Sequence, residues 1–251
     1  MKDEKFLKKK IVVNDLDELQ PDYGKGTLVL TSSQAVIDEC NNRDIPVAGV
    51  CDGLECKLEC QQLLIDLDEI EDEDFENIYR REAGIPWTIA YTNRCMIREF
   101  AMEDLDDLFN LYSKPHMTDY MEPLFEYEEE KAYQQNYINY IYKLYGFGMW
   151  LIYQNSTGKL IGRAGIEVRE TCNKPNQAEL GFAIDSDCWR QGYAYEVCSK
   201  IIDLARDDYS LTSLIARCDK ANVSSRKLLE KLGFSLVGYE PDGGCRYYRE
   251  I

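Results

Sequence analysis

The sequence predicts two α/β segments in one chain: a small acidic module with parallel strands over residues 1–90, and a larger domain over 94–251 in which a sheet is flanked by helices. Three observations carry this. Apolar runs of strand length alternate with helix-length segments in both halves. The stretch Ala83-Gly84-Ile85-Pro86-Trp87 separates them, because glycine and proline stop a helix where they stand. And 251 residues with 45% hydrophobic content suffice for one large or two small cores.

In the first segment Gly26-Thr27-Leu28-Val29-Leu30-Thr31 reads as a buried strand, and Ser32 or Ser33 is placed to cap a helix running to about Asn42. Ile45 to Val50 reads as a second strand, Leu63-Leu64-Ile65 as a third, and Asp72 to Arg81 as a helix. Strand–helix–strand order implies parallel pairing. The runs Leu28–Leu30 and Val47–Val50 then need cover on both faces. So short a segment is expected to supply that cover poorly, which argues for a module docked on the second segment. The turn Thr31-Ser32-Ser33-Gln34 lacks the glycines of a dinucleotide site. Asp15-Leu16-Asp17 after Ile11-Val12-Val13 resembles the opening of the haloacid-dehalogenase phosphatases, in which the first Asp attacks phosphate and the second moves a proton. The pattern departs at Leu19, where that family has threonine, and no lysine-plus-acid magnesium site accompanies it. The module is read as noncatalytic.

From Arg94 the order is strand, helix, helix, three strands, helix, strand, helix, two strands. Cys95 to Phe100 opens it, and Met102-Glu103-Asp104 places acids in the first turn of a helix, where the helix dipole favours them. A tyrosine-rich helix spans roughly Glu126 to Tyr145. Phe147–Tyr153 and Leu160–Val168 flank Asn155-Ser156-Thr157-Gly158-Lys159 and read as a hairpin. The strand Ala178 to Ile184 leads into Trp189-Arg190-Gln191-Gly192-Tyr193-Ala194 and a helix from Tyr195 to Arg206. Small residues at 192 and 194 let a backbone turn approach a ligand, and amides at a helix start suit a phosphate. A strand from Ser213 to Asp219 precedes Asn222-Val223-Ser224-Ser225-Arg226-Lys227-Leu228-Leu229-Glu230-Lys231-Leu232-Gly233-Phe234, and Val237–Tyr239 and Arg246–Arg249 close the sheet.

Strand, Gly-x-Ala turn, helix, strand, then Asn-x-x-Ser with Leu-Glu-Lys-x-Gly-Phe resembles the GNAT superfamily of N-acetyltransferases, nearest its ribosomal-protein-alanine acetyltransferase branch, where a tryptophan precedes the turn. The resemblance covers roughly residues 94–251. It implies the GNAT fold, a mixed and mostly antiparallel sheet flanked by helices. It also implies acetyl-CoA as cosubstrate and a primary amine as acceptor: a protein N-terminus or a small amine. Amides of Arg190, Gln191, Gly192, Tyr193, Ala194 and Tyr195 would hold the pyrophosphate. Phe182, Ala183 and Ile184 would pair with the pantetheine arm and stabilise the thioester oxygen. Asn222 and Arg226 are secondary cofactor contacts, with an N-cap and a solvated face as their ordinary roles. Arg190 departs from the glycine common at its place.

An amine acceptor has to lose a proton before it attacks, and a carboxylate is the expected base. Glu179, beside the acetyl position, is the candidate, with Glu167 and Asp185 as competitors. Many relatives carry tyrosine where this chain has Leu229, so no catalytic acid is assigned. That departure keeps a second reading open: a noncatalytic acetyl-CoA-responsive regulatory protein. His116 borders the acceptor region of the resembling fold but is read as a surface residue, and Tyr133, Tyr137, Tyr140, Tyr142 and Tyr145 chiefly as helix packing.

Composition adds exclusions. The net charge is −17, of which residues 1–90 carry −11 (10 basic, 21 acidic) and residues 91–251 carry −6 (19 basic, 25 acidic). Such a balance repels nucleic acid and acidic membranes. No apolar run reaches transmembrane length and Met1-Lys2-Asp3-Glu4-Lys5-Phe6 has no signal-peptide core, so the expected location is cytoplasmic. The ten cysteines are then read as reduced thiols. Cys51, Cys56 and Cys60 cluster without a fourth ligand close by, so no metal site is assigned. A homodimer is compatible with all of this.

Overall fold

The computed structural model describes residues 5–53, 55–240 and 243–251. The chain divides into two units, the first ending at Pro86 and the second beginning at Trp87.

The first unit is built on four parallel strands in sequence order: β1 (Lys9–Val12), β2 (Thr27–Thr31), β3 (Val47–Cys51) and β4 (Leu63–Ile65). Helix α1 (Gln34–Asn42) joins β2 to β3, and α2 (Asp72–Glu82) follows β4. Ser33 takes the N-cap position of α1 without a side-chain capping bond. Val36, Ile37 and Cys40 of α1 cluster with Val29 and Val47, whereas Phe75 and Tyr79 of α2 cluster with Leu28, Leu30, Ala48 and Leu64. Successive residues of β2 thus feed two cores, which is why Leu28-Val29-Leu30 is an unbroken apolar run. The expectation that so short a segment covers its sheet poorly is corrected: each face has its own helix. A buried carboxylate ties the start of the chain to α2. Glu76 accepts from the amides of Phe6 and Leu7, both at 2.9 Å, and from Arg80 Nε at 3.0 Å. Tyr79 Oη accepts from the Gly26 amide at 2.6 Å. A second correction concerns thiols: Cys51 and Cys56 are joined in a disulfide, and the other eight cysteines are free.

The second unit has one eight-stranded sheet in the order β11-β12-β10-β9-β8-β7-β6-β5. Its strands are β5 (Thr88–Tyr91), β6 (Cys95–Arg98), β7 (Met149–Gln154), β8 (Leu160–Glu167), β9 (Gln177–Ile184), β10 (Ser213–Asp219), β11 (Ser235–Tyr239) and β12 (Gly244–Glu250). All neighbours are antiparallel except β9 and β10. The mixed, mostly antiparallel sheet is the one the resemblance implies. Strand β5 was not legible in the sequence; it adds an edge before the expected first strand.

Helices α3 (Leu105–Tyr112) and α4 (Tyr127–Asn136) precede β7, α6 (Tyr193–Asp207) joins β9 to β10, and α7 (Val223–Lys231) follows β10. Val197, Cys198, Ile201, Ile202 and Ala205 of α6 share one core with Trp150, Ala164, Ile166 and Leu180 of the sheet. The tyrosine-rich helix is not uniform: α4 runs into a π-helical segment, Tyr137–Tyr142, before a last turn α5 (Lys143–Tyr145). The wider turn brings Tyr137 and Tyr142, five residues apart, edge to face at 5.2 Å. Both hydroxyls then grip β7: the Met149 amide donates to Tyr137 Oη at 2.8 Å, and Tyr142 Oη donates to the Met149 carbonyl at 2.7 Å. Gly148 is required beneath them, since a Cβ there would stand 2.7 Å from Tyr137 Oη.

Candidate active site

The parallel junction of the second sheet is where its ladder stops. β9 and β10 pair only over Gln177–Glu179 and Ser213–Ile215; from Leu180 to Ile184 β9 pairs with β8 alone. Because backbone N–H and C=O groups need partners, a strand released on one edge offers a row of them to an extended ligand. Phe182 and Ala183 are half-buried there and Ile184 is buried.

The end of this open edge is tied to the next turn. Trp189 Nε1 donates to the Ile184 carbonyl at 2.6 Å, and the Asp185 carboxylate caps Asp187 N at 2.9 Å. The chain then passes through Arg190 at φ 61° and Gly192 at φ 86°, both left-handed. Glycine is at home in that region and arginine is not, so the turn is held by its surroundings. Gly192 is the N-cap of the 15-residue α6, whose first helical bond runs from Glu196 N to the Gly192 carbonyl. The amides of Tyr193, Ala194 and Tyr195 precede that bond and make a cationic helix start. Their side chains do other work. Tyr193 is buried and accepts from Gln154 Nε2 at 2.6 Å, Ala194 packs on the core, and Tyr195 lies under the Lys231 ammonium at 4.1 Å. Gln191 turns its amide back to the Asp187 carbonyl at 2.9 Å.

Sequence reasoning missed Arg94. Its Nε donates to Glu196 Oε2 at 2.7 Å and its backbone N to Oε1 at 2.8 Å, while Nη1 reaches the Gln191 carbonyl at 3.0 Å. Burial alone would raise the Glu196 carboxyl, but hydrogen bonds from Thr92 and Arg94 outweigh it and hold it below its ordinary range. A carboxylate in the first turn would oppose an anionic ligand; Arg94 cancels it. The only signal in the sequence was that acid itself, one turn into a helix proposed to bind phosphate.

Of the carboxylates weighed as base, two are committed elsewhere. Asp185 is 4% exposed and takes Lys114 Nζ at 2.5 Å. Glu167 accepts from Tyr137 Oη at 2.6 Å and from Arg169. Glu179, half-buried at the last paired position of β9 and β10, has one hydroxyl partner, Thr171 Oγ1 at 2.7 Å. Burial, and then the Glu167 charge, push the Tyr137 hydroxyl well above its usual pKa, so it stays a donor. Tyr133, Tyr137, Tyr140 and Tyr145 line a cavity of about 650 Å³ that Glu167 and Thr171 also border. Tyr142 is not among the residues that line it; its ring is buried in the core and its hydroxyl is held by the Met149 carbonyl and the Phe100 amide.

Asn222 caps α7, its Oδ1 accepting from Ser225 N at 3.0 Å. Arg226 reaches Tyr247 Oη and the Lys220 carbonyl, each at 3.3 Å. Leu229 is wholly buried in the core. His116 is exposed and pairs with Asp119 at 2.8 Å. Among the described residues no group of His, Cys, Asp and Glu side chains is arranged to hold a metal ion, and no helix is long and apolar enough to cross a membrane.

Comparison with known proteins meets this geometry. A family model described as an acetyltransferase (GNAT) domain matches residues 94–235, more than half of the chain. The uncharacterized N-acetyltransferase YoaA of Bacillus subtilis (strain 168) is 28% identical over 152 residues, covering 60% of this chain and 84% of that protein. Among solved structures, the ribosomal-protein-S5-alanine acetyltransferase of Vibrio fischeri aligns with a TM-score of 0.56 at 15% identity, over 64% of this chain and 95% of that one. RimL, a ribosomal L7/L12 α-N-protein acetyltransferase solved with coenzyme A, aligns at 0.55 with 17% identity, over 65% and 97%. At such identities the structural likeness speaks for the fold.

Proposed function

The chain belongs to the GNAT family of acetyltransferases, and on that premise we propose that it moves an acetyl group from acetyl-CoA to a primary amine by direct attack in a ternary complex. The observation that carries the proposal is the released edge of β9 running into the left-handed Gly192 turn at the start of α6. An extended pantetheine arm fits such an edge and a pyrophosphate fits such a helix start. The amides of Tyr193, Ala194 and Tyr195 hold the phosphates, and backbone groups of Phe182 to Ile184 hold the arm and the thioester oxygen. That RimL was solved with coenzyme A bound supports the same use here.

Glu179 takes a proton from the acceptor ammonium. The free amine attacks the thioester carbonyl, the new C–N bond forms, the C–S bond breaks, and coenzyme A leaves as its thiolate. Solvent protonates that thiolate, since the buried Leu229 cannot. Asn222 Oδ1 is spent on its cap, so its contribution to the cofactor is through its amide nitrogen. Titration calorimetry with acetyl-CoA, followed by thiol release across a panel of amines, tests the proposal. Heat of binding at micromolar to millimolar cofactor and turnover with at least one amine are expected; no binding at millimolar acetyl-CoA ends it.

A further inference from the structure

We infer that the acceptor is a small amine carrying its own carboxylate, of amino-acid size, and that Arg163 receives that carboxylate. This rests on the acetyl-transfer reading and names its substrate class. Strands β8 and β9 pair in unbroken register from Gly162 opposite Ile184 to Glu167 opposite Glu179. Side chains at alternate positions therefore share a face in three rows: Arg163 with Ala183, Gly165 with Gly181, Glu167 with Glu179. Successive rows are about 6.8 Å apart. Arg163 contacts Tyr112 of α3, and Glu167 contacts Tyr137 of the helix that follows α4, so this face looks toward those helices.

The row nearest the cofactor edge holds a cation that has no ion pair among the described residues. Arg163 Nε is sealed from solvent with no acceptor, and the best contact of the guanidinium is a long one, Nη1 to Tyr112 Oη at 3.4 Å. Other arginines of this unit differ: Arg94 has Glu196, Arg98 has Asp104 at 2.7 Å, and Arg169 has Glu167. Arginine does not shed its proton in a protein, so the charge persists, and enclosed charge without a partner is costly. A group left so in a native fold needs an explanation, and a bound anion that completes it is one. A carboxylate is the anion a guanidinium fork fits.

The opposite end of the face is acidic on balance: Glu167 and Glu179 face one cation, Arg169, which is ion-paired to Glu167, and Glu179 is hydrogen-bonded to the Thr171 hydroxyl. Between the two ends neither Gly165 nor Gly181 carries a side chain; the Gly148 carbonyl and the Met149 backbone crowd Gly165, and the Met149 side chain lies over Gly181, its sulfur 3.2 Å from where a Cβ would stand. A thioether is a pliable roof. Arg163 and Glu179 stand two rows apart, about 14 Å along the strands, a gap that their long side chains narrow, so a zwitterion over the middle row turns its carboxylate to Arg163 and its ammonium toward Glu179, with its nitrogen beside the thioester position. Glu167 and Thr171 are themselves part of the lining of the tyrosine-rich cavity, so an apolar or aromatic side chain of the acceptor would extend into it from this acidic end.

The test uses the full chain, acetyl-CoA and matched acceptors: phenylalanine, leucine and methionine, each beside its decarboxylated amine and its α-amide, with short peptides bearing an acidic second residue. The wild type is expected to favour the free amino acids over the decarboxylated amines by at least about 100-fold in kcat/KM, as sites with buried polar partners do. Arg163→Met is expected to bring that ratio to within about threefold of one by raising KM for the amino acids, with acetyl-CoA affinity unchanged; Arg163→Lys recovers part of it. A ratio near or below one in the wild type overturns the inference without touching acetyl transfer. So does use of the acidic peptides but not the amino acids, or an equal loss for all acceptors in Arg163→Met. The wild-type ratio decides the matter even if both variants misfold. Absence of acetyl-CoA binding overturns both readings together.

Discussion

The two sheets of this chain share one kind of connection and use it differently. In the first unit every strand junction is parallel and each has a ladder of three or more residue pairs, with helices α1 and α2 sealing both faces. In the second unit only one junction is parallel, and it opens after three pairs, at Glu179. Ladders of three or four pairs take up most of the three- to five-residue strands of the first unit, whereas three pairs cover only the start of the eight-residue β9 and leave a row of amides and carbonyls beside a helix start. The difference locates the proposed chemistry in the second unit. It also explains why an α/β pattern in the first gives no comparable site among its described residues.

The largest effect is expected at Glu179, where the ladder ends. If that carboxylate is the base, Glu179→Gln lowers kcat by about 10²–10⁴-fold while acetyl-CoA binds as before. Steady-state thiol release beside calorimetry checks it; an unchanged rate removes Glu179 from the chemistry and leaves only its bond to Thr171.

The matching blow to the first unit falls on Glu76. Burial tends to raise its carboxyl, but the amides of Phe6 and Leu7 and the Arg80 guanidinium outweigh burial and hold it below the usual carboxylate range. Its folded pKa is therefore depressed below its value in the unfolded chain, which is about 4.3. The resulting stability is fully present above that unfolded value and is lost as pH falls through the folded one. Glu76→Gln is expected to destabilise the first unit by about 2–3 kcal/mol at neutral pH, to remove that acid sensitivity, and to leave acetyl-CoA affinity intact. Chemical denaturation at several pH values measures the first two effects, and calorimetry the third.

Gly192 sharpens the comparison from the other side. At φ 86° a β-branched residue is strained, and the added bulk starts 3.5 Å from Arg94 Nη2. Gly192→Val is expected to weaken acetyl-CoA binding by at least about tenfold, or roughly 1.4 kcal/mol. Gly192→Ala shares the backbone strain without the reach. If both variants lose the same stability and only valine loses affinity, the turn works by close approach, as a phosphate cradle should.

The importance of this turn was legible in the sequence because glycine reports backbone conformation directly: Gly192 stands where a left-handed residue opens a helix. The order of strands and helices from Arg94 was legible through apolar periodicity, and the fold through its resemblance. What escaped has a common cause, namely pairing between residues far apart in the chain. Nothing local marks Arg94 as the partner of Glu196, 102 positions on, or shows that Arg163 Nε finds no acceptor among the described residues. The π segment at Tyr137–Tyr142 is set by where β7 needs two hydroxyls, and a 3.6-residue period does not show it. The cover on the first sheet was misjudged because Val36 and Phe75 lie on helices whose placement on opposite faces depends on the crossover and not on their own sequences.

The smallest effect concerns Asn222, where two roles compete for one side chain. Its Oδ1 caps α7 through Ser225 N, and a cap of this kind is worth about 1 kcal/mol. Asn222→Asp keeps the acceptor and removes the amide donor; Asn222→Ala removes both. If the residue only caps, aspartate holds the melting temperature, alanine lowers it by a few degrees, and neither changes acetyl-CoA affinity. If the amide nitrogen also holds the pantetheine arm, aspartate loses affinity at full stability, because a carboxylate accepts and cannot donate. That pair of variants therefore tests whether the second open strand, β10, takes part in the site through the helix that follows it. A loss confined to stability would leave the released edge of β9 and the Gly192 turn to hold the cosubstrate without it.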